Sequence, residues 1–353
     1  MNTYRIAVVP GDGIGQEIIP EGIRVLDNVA EIENFKCEYT TFPYSAKHYE
    51  KTGEFMPANA LELLKPYDAI YFGAIGHPDV DDTLPATRYT FRVRKGFHQY
   101  VNYRPVKILP GVPSPLRHAK AGEVDFVIVR ENTEGEFSET GNFVNPESPE
   151  GFAIQTSIFT RKGIERVARY SFQLARKRKN LVTNVTKSNT LIHSMSYWDQ
   201  IIAGIAKEYP DVTYEKMYVD NASATFVLHP QHFDVLLTTN MIGDILSDLG
   251  GALMGSLGLG PSGNINPEKE YPSMFEPIHG SAPDIAFKGI ANPVSAIWSG
   301  GLMLAHLGEE AAAQTIENAI FSALQDKDNW PADIGGNAST TKVTDAIISN
   351  LQS

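Results

Sequence analysis

Short apolar runs rich in β-branched residues alternate along the chain with stretches in which apolar residues recur every three or four positions. The runs predict strands at residues 5–9, 69–72, 124–129, 181–185, 212–219 and 234–238. The stripe Ile164, Val167, Ala168, Phe172 and Ala175 predicts an amphipathic helix, and similar spacing predicts helices at residues 16–29, 190–208, 243–254, 294–306 and 310–325. This alternation is typical of an α/β fold with a mainly parallel sheet.

Two irregular stretches rich in Pro and Gly interrupt the alternation, at residues 107–115 and 255–267. We interpret both as crossings between two lobes, because single cores stop growing at roughly 250–300 residues and this chain has 353. The sequence therefore predicts an outer, discontinuous lobe from residues 1–102 and 255–353, and an inserted lobe from residues 103–254.

The chain is acidic, with 30 Lys and Arg against 42 Asp and Glu and a net charge of −12. This charge argues against nucleic-acid and membrane partners, so an anionic substrate must be held by a few local arginines. Cys37 is the only cysteine, which excludes an intrachain disulfide and a cysteine-based zinc site. We find no signal peptide and no apolar run near the ~20 residues that span a bilayer, and we expect a cytoplasmic protein.

Residues 10–15 read PGDGIG between the first predicted strand and the first predicted helix. Glycines at such a junction let the backbone approach a phosphate or a cofactor. The dinucleotide-binding fingerprint requires a further glycine at the position of Gln16, so a standard Rossmann phosphate loop is not predicted. The motif by itself is equally compatible with a structural turn.

Asp244 and Asp248 are four residues apart, so on a helix their carboxylates project from one face. Like charges placed in this way repel unless a cation neutralises them, and carboxylate oxygens suit Mg²⁺ or Mn²⁺. Asp220, at the end of a predicted strand, is a candidate third ligand. The alternative is a solvated acidic turn stabilised by the helix dipole.

Four basic residues stand next to polar segments that suit ligand binding. Arg94, Arg104 and Arg130 offer guanidinium forks for carboxylates, although each could instead form a surface ion pair. Lys187 follows a predicted strand, at the sheet edge where ligands usually bind. Residues 273–284 have neither helical nor strand periodicity and predict a shaped binding loop around His279.

Together, these segments resemble the β-decarboxylating dehydrogenases, the family of isopropylmalate, isocitrate, homoisocitrate and tartrate or D-malate dehydrogenases. The motifs PGDGIG, NYRPV, VRENTEG, TKSN, NMIGDILSD, FEPIHGSAPDIA, GIANP and DIGGNAST occur in the family's order. The resemblance implies a two-lobed α/β fold with a mixed sheet that is not a standard Rossmann fold. Residues 99–116 and 261–285 resemble the tartrate/D-malate group, whereas Arg88 and Arg92 on the predicted substrate-reading helix at residues 83–93 could favour a third substrate carboxylate.

The resemblance implies a role for each basic and acidic candidate. Arg94, Arg104 and Arg130 match the arginines that hold the substrate's carboxylates. Asp244 and Asp248 match metal ligands of one subunit. Lys187 and Asp220 match catalytic residues that reach the neighbouring subunit's site, with Asp220 also a metal ligand, so the resemblance implies a homodimer whose interface lies in the inserted lobe.

The resemblance also implies NAD as cofactor, bound by the outer lobe, together with Mg²⁺ or Mn²⁺ and K⁺ as a further candidate ion. The positions that match the family's NAD site are Ile14, Asn189, Glu276, His279, Gly280, Ser281, Ala282, Asp284, Ile285 and Asn292.

Phe137 occupies the position of the family's proton-donating tyrosine. The implied reaction is oxidative decarboxylation of a D-malate-type 2-hydroxy acid, with D-malate or tartrate favoured, to a 2-keto acid and CO₂. The alternatives are an isopropylmalate, isocitrate or homoisocitrate dehydrogenase, and a non-catalytic regulatory subunit of a hetero-oligomeric isocitrate dehydrogenase. Loss of a general acid typically costs ~10²–10⁴ in the step it serves, so Phe137 is the residue that favours the regulatory alternative.

Overall fold

A computed structural model of the chain describes residues 1–117 and 120–352. The strands are β1 Thr3–Gly11, β2 Lys36–Thr41, β3 Ala69–Ala74, β4 Val101–Lys107, β5 Asp125–Glu131, β6 Gly135–Val144, β7 Phe152–Ile158, β8 Leu181–Thr186, β9 Thr213–Tyr218, β10 Val235–Thr238, β11 Pro261–Ile265 and β12 Ser273–Pro277.

The helices alternate with these strands. They are α1 Gly15–Glu33, α2 Ala46–Thr52, α3 Ala60–Leu64, α4 Thr83–Pro85, α5 Phe91–Gly96, α6 Arg161–Arg176, α7 Ser194–Ala206, α8 Val219–Leu228, α9 Asn240–Met254, α10 Val294–Leu307, α11 Glu310–Ala323 and α12 Thr340–Ser349. A π-helical segment, Ala86–Thr90, connects α4 and α5. No helix in the described ranges is long and apolar enough to cross a membrane.

The chain divides into two compact units. The first unit comprises Met1–Gln99, Arg104–Asp125 and Asp248–Ser353, and the second comprises Tyr100–Tyr103 and Phe126–Ser247. The first unit therefore includes residues 104–125 and 248–254, which the sequence predicted to lie in the inserted lobe.

The first unit contains a mixed sheet covered by helices. Strand β1 pairs in parallel with β2 and β3, β12 pairs in parallel with β3, and β11 joins the edge of β12 in antiparallel orientation. The core is apolar, and Tyr71 on β3 donates a hydrogen bond from its hydroxyl to the Ala296 carbonyl at 2.7 Å. Gly22 of α1 leaves the space for this ring, because a Cβ at Gly22 would lie 1.9 Å from the Tyr71 hydroxyl. The predicted α/β architecture with a mixed sheet is confirmed.

The second unit contains a parallel sheet and a separate hairpin. Strand β10 lies between β5 and β8, and β9 pairs with the other edge of β8. Strands β6 and β7 form an antiparallel pair of their own. Trp198 of α7 is fully buried and donates from its indole nitrogen to Asn184 Oδ1 on β8 at 2.8 Å, which fixes this helix on the sheet.

Three sequence expectations are corrected by these bounds. Residues 273–284 are not wholly a loop, because Ser273–Pro277 forms β12, and the irregular stretch 255–267 contains β11. All five residues of each strand are buried, but both contain Pro and polar residues, so neither shows the apolar β-branched run from which the other strands were predicted. Asp220 is the second residue of α8 rather than the end of a strand.

Candidate active site

The guanidinium of Arg130 is held at the carboxyl end of β5 by two residues of α9. Its Nε and Nη2 donate to Asn240 Oδ1 at 2.8 and 2.6 Å, and its Nη1 donates to Asp244 Oδ1. Gly243 makes this approach possible, because a Cβ there would lie 2.6 Å from Arg130 Cβ. Arg130 is fully buried while the Asp244 side chain is 48% exposed, so Asp244 keeps access to solvent and to a ligand.

Phe137 on β6 belongs to the surroundings of Arg130. The Arg130 guanidinium carbon lies 5.7 Å from the centroid of the Phe137 ring, within the range of a cation–π contact. The phenyl ring therefore occupies a place beside a predicted substrate-binding group, where a tyrosine would add a hydroxyl.

Lys187 and Asp220 meet in the second unit. Lys187 directly follows β8, and its ammonium donates to Asp220 Oδ2 near the start of α8. This hydrogen bond lowers the pKa of the Asp220 carboxyl below its usual value. Both side chains are accessible to solvent, so they form a paired cation and anion on the surface of this unit.

Two further arginines lie in the first unit. Arg94, near the end of α5, is buried and donates from Nη2 to Glu276 Oε1 at 2.9 Å, and Asn264 donates to the same oxygen at 2.6 Å. The Nε of Arg94 is buried without a hydrogen-bond partner among the residues the structure describes. Arg104 of β4 lies 3.8 Å from the carboxylate of Asp248, whose side chain is 59% exposed.

The predicted metal ligands are brought together only in part. Helix α9 carries Asp244 and Asp248 one turn apart, as the spacing predicted. Asp220 pairs with Lys187, and within residues 1–117 and 120–352 these three aspartates do not form a cluster of ligand atoms within 4.8 Å of one another.

The predicted NAD loop packs against the PGDGIG segment. The Ile14 amide donates to the Ser281 carbonyl at 2.8 Å, and a Cβ at Gly13 would lie 2.0 Å from that oxygen. Burial lowers the pKa of His279, whose Nε2 has no hydrogen-bond partner in the described chain. Asp284 and Gly280 are exposed, whereas Asn189 lies on the second unit, two residues after Lys187.

Asn292, another predicted NAD residue, is already fixed by neighbours. Its amide donates to Asp333 Oδ2 at 3.0 Å, and its carbonyl oxygen accepts from the Val294 amide at the start of α10. Ser256 donates to the same oxygen of Asp333. Asp333 was missed by the sequence reasoning, although it lies in the DIGGNAST motif, because nothing in that motif alone indicates contact with Asn292.

Asn240 and Asp12 were missed in the same way. Asn240 begins the NMIGDILSD motif and binds Arg130, and the sequence offers only its position before the two aspartates as a signal. Asp12 is buried in PGDGIG and accepts from the amides of Ala46, Lys47 and Gly76 at 2.7, 3.1 and 3.1 Å. Its role is to hold together the segments on either side of this loop.

Comparison with known proteins finds a matching family model and relatives that align along nearly the whole chain. A family model described as isocitrate/isopropylmalate dehydrogenase matches residues 5–347. A probable tartrate dehydrogenase/decarboxylase of Agrobacterium vitis is 48% identical over 349 residues, covering 98% of this chain and 97% of that protein. The D-malate dehydrogenase [decarboxylating] of Escherichia coli K12 is 46% identical over 354 residues, with 98% of each chain covered.

A solved structure agrees with these sequence relatives. The crystal structure of isocitrate dehydrogenase from Methylococcus capsulatus aligns with a TM-score of 0.90 and 34% identity, covering 99% of this chain and 100% of that one.

Proposed function

This chain belongs to the isocitrate/isopropylmalate dehydrogenase family and is therefore an oxidoreductase, and on that premise we propose that it oxidises and decarboxylates a D-malate-type 2-hydroxy acid. The products are a 2-keto acid and CO₂, the cofactors are NAD and Mg²⁺ or Mn²⁺, and D-malate or tartrate is the favoured substrate. The observation that carries the proposal is the fixed guanidinium of Arg130, bonded directly to the exposed carboxylate Asp244.

The substrate's charge is matched by three arginines on rigid elements. Arg94, Arg104 and Arg130 all have buried side chains and each lies beside one carboxylate. A buried guanidinium is costly unless it is paired, so fixed arginines of this kind provide oriented forks for carboxylates. This arrangement supports a small polycarboxylate as substrate.

The segment at residues 83–93, which we propose contacts the substrate, favours a dicarboxylate as the substrate. Arg92 donates to the Ala58 carbonyl. Arg88 and Arg92 line a cavity of about 450 Å³, and Arg94 is not part of the lining of this cavity. Because Arg88 and Arg92 line a cavity that Arg94 does not line, we favour D-malate or tartrate over isocitrate or homoisocitrate.

The aspartates fit a hard divalent cation. Asp244 and Asp248 project from one face of α9 with exposed carboxylates, and oxygen donors are what Mg²⁺ and Mn²⁺ prefer. We propose that these two residues and Asp220 would hold the ion, which when bound would lower the pKa of the substrate hydroxyl and stabilise charge on oxygen. The exposed Asp284 and the partnerless His279 Nε2 fit the ribose and adenine portion of NAD.

Lys187 is the proposed base that removes the hydroxyl proton, directly or through a water. The Lys187 ammonium donates to Asp220, and this contact holds the lysine beside a proposed metal ligand. Arg94, Arg104 and Arg130 meanwhile hold the carboxylates, so that the reacting carbon keeps one orientation.

We propose that the chain works as a homodimer. The β6–β7 hairpin exposes Phe143 and Phe152, with Phe143 71% accessible, and Leu228 at the end of α8 is 68% accessible. Large exposed apolar side chains such as these are candidates for burial against a second subunit. In this dimer, Lys187 and Asp220 are proposed to act in the neighbouring subunit's site.

Turnover of the purified chain by itself tests this function. D-malate, tartrate, isopropylmalate, isocitrate and homoisocitrate are compared with NAD and Mn²⁺, and again in excess chelator. We expect the highest kcat/KM with D-malate or tartrate and no turnover in chelator. Absence of turnover with every substrate would instead support the regulatory-subunit alternative, which the phenyl ring of Phe137 beside Arg130 favours.

A further inference from the structure

A second group of metal-ligating side chains contains none of the residues assigned above. It consists of Glu50 on α2 and of His77 and Asp79 after β3, all in the first unit. In the part of the chain that the structure describes, it is the only group of three or more His, Cys, Asp or Glu side chains whose ligand atoms lie within 4.8 Å of one another. We propose that these three residues bind one divalent transition-metal ion such as Zn²⁺.

The distances within the group suit an ion at its centre. His77 Nδ1 lies 3.5 Å from Asp79 Oδ2 and 3.7 Å from Glu50 Oε1, too far for good direct hydrogen bonds. Bonds of 2.0–2.2 Å to a tetrahedral Zn²⁺ separate neighbouring ligand atoms by about 3.3–3.6 Å. Small side-chain rotations would therefore bring all three atoms to ligand positions.

The two carboxylates of the group also favour the binding of a cation. Neither Glu50 nor Asp79 has a Lys or Arg ion-pair partner among residues 1–117 and 120–352. One imidazole nitrogen and two carboxylates suit Zn²⁺ and its neighbours in the first transition row better than Mg²⁺.

The ion would act as a clamp between two segments of the first unit. Asp12 already joins them, because its carboxylate accepts from the Ala46 amide at the start of α2 and from the Gly76 amide after β3. Glu50 and His77 would join the same segments at a second point. His77 also borders a cavity of about 590 Å³, so the open coordination positions are accessible to water.

The nitrogen ligand distinguishes this site from the proposed catalytic one, whose aspartates offer only oxygen. Metal-free protein is titrated with Cu²⁺ as a spectroscopic probe, and hyperfine coupling to imidazole nitrogen is measured by electron paramagnetic resonance. We expect one nitrogen-coupled Cu²⁺ per chain in the parent and in the Asp244→Asn/Asp248→Asn variant. The signal should disappear in His77→Gln, and Asp79→Asn should weaken binding by about tenfold or more.

His232→Gln provides the matched control. His232 is also partly exposed, but it faces the single carboxylate of Glu215 at 2.7 Å, so its loss should leave the signal unchanged. Zn²⁺ should raise the melting temperature of Asp244→Asn/Asp248→Asn, and this rise should vanish when His77→Gln is added. A parent without nitrogen coupling, or a signal that survives His77→Gln, would overturn the proposal and leave the proposed catalysis untouched.

Discussion

At the scale of single residues, the candidate site depends on side chains whose positions are set by a few polar neighbours. Arg130 is positioned by Asn240, Arg94 by Glu276, and Asn292 by Asp333. The candidate residues could be chosen from the sequence, because arginine suits the binding of carboxylates and aspartate suits the binding of Mg²⁺ or Mn²⁺. Their partners were not, because the contacts join segments up to 182 residues apart and depend on packing.

Phe137→Tyr tests whether the missing hydroxyl limits turnover. If Lys187 and the metal carry out oxidation and C–C cleavage, protonation of the resulting enolate must wait for water or for Lys187 in the wild type. The decarboxylated product should then lag behind NADH, and Phe137→Tyr should remove the lag and speed complete turnover by up to ~10²–10⁴. NADH and final product are followed in parallel, and a wild type without lag that gains nothing from the tyrosine would show that another group donates the proton.

The second prediction for a single residue concerns Asp284 and the preference for NAD over NADP. Its exposed carboxylate can accept hydrogen bonds from a ribose hydroxyl but would repel a 2′-phosphate, so kcat/KM should be higher with NAD than with NADP. Asp284→Lys should move the ratio of the two kcat/KM values toward NADP. An equal or higher kcat/KM with NADP in the wild type would contradict this assignment.

At the scale of elements, the sequence predicted most of the strands and helices that have a clear periodicity. Helix α6 and strand β8 agree with prediction to within a few residues, since one has a strong apolar stripe and the other a compact β-branched run. Strands β11 and β12 were missed because PSGNI and SMFEP contain Pro and polar residues instead of an apolar β-branched run. The hairpin β6–β7 was missed because all seven residues of β7 are exposed, so nothing in its pattern indicates a core.

Gly243→Ala tests how closely α9 must approach Arg130. The new Cβ would lie 2.6 and 2.7 Å from Arg130 Cβ and Cγ, the inner and less adaptable part of the side chain. We expect a loss of about 1–3 kcal/mol in the free energy of unfolding, typical of overpacking, and a raised KM. The matched control is Gly204→Ala in α7, where a Cβ meets nothing within 4 Å and stability should stay equal or rise. Equal behaviour of the two variants would contradict the contact.

At the scale of the whole molecule, the family resemblance drawn from ordered motifs is confirmed by the match along nearly the entire chain. Eight short motifs in one order identify a family more reliably than any single contact, because each motif constrains the alignment of the next. Substrate identity and assembly depend on a few side chains and on a second chain. They therefore stay predictions.

Complementation tests the proposed dimer. Lys187→Ala and Asp244→Asn should each abolish activity, yet a mixture whose subunits have exchanged should recover up to about a quarter of wild-type activity, because each hybrid dimer contains one intact site. Subunit exchange is verified first by mass spectrometry of the dimers. A verified hybrid without activity would place Lys187 and Asp244 in the same chain's site.

The buried carboxylate of Asp12 limits how this protein can be redesigned. Its carboxylate in the PGDGIG loop already accepts from the backbone amides of Ala46, Lys47 and Gly76. These amides are therefore not available to a diphosphate, and the carboxylate would repel one. Changing cofactor choice by building phosphate contacts into PGDGIG would first remove the bond network that closes the loop, and the protein would lose stability before it gained affinity. An engineer who wants a different cofactor should leave this loop unchanged and alter the segment around Asp284.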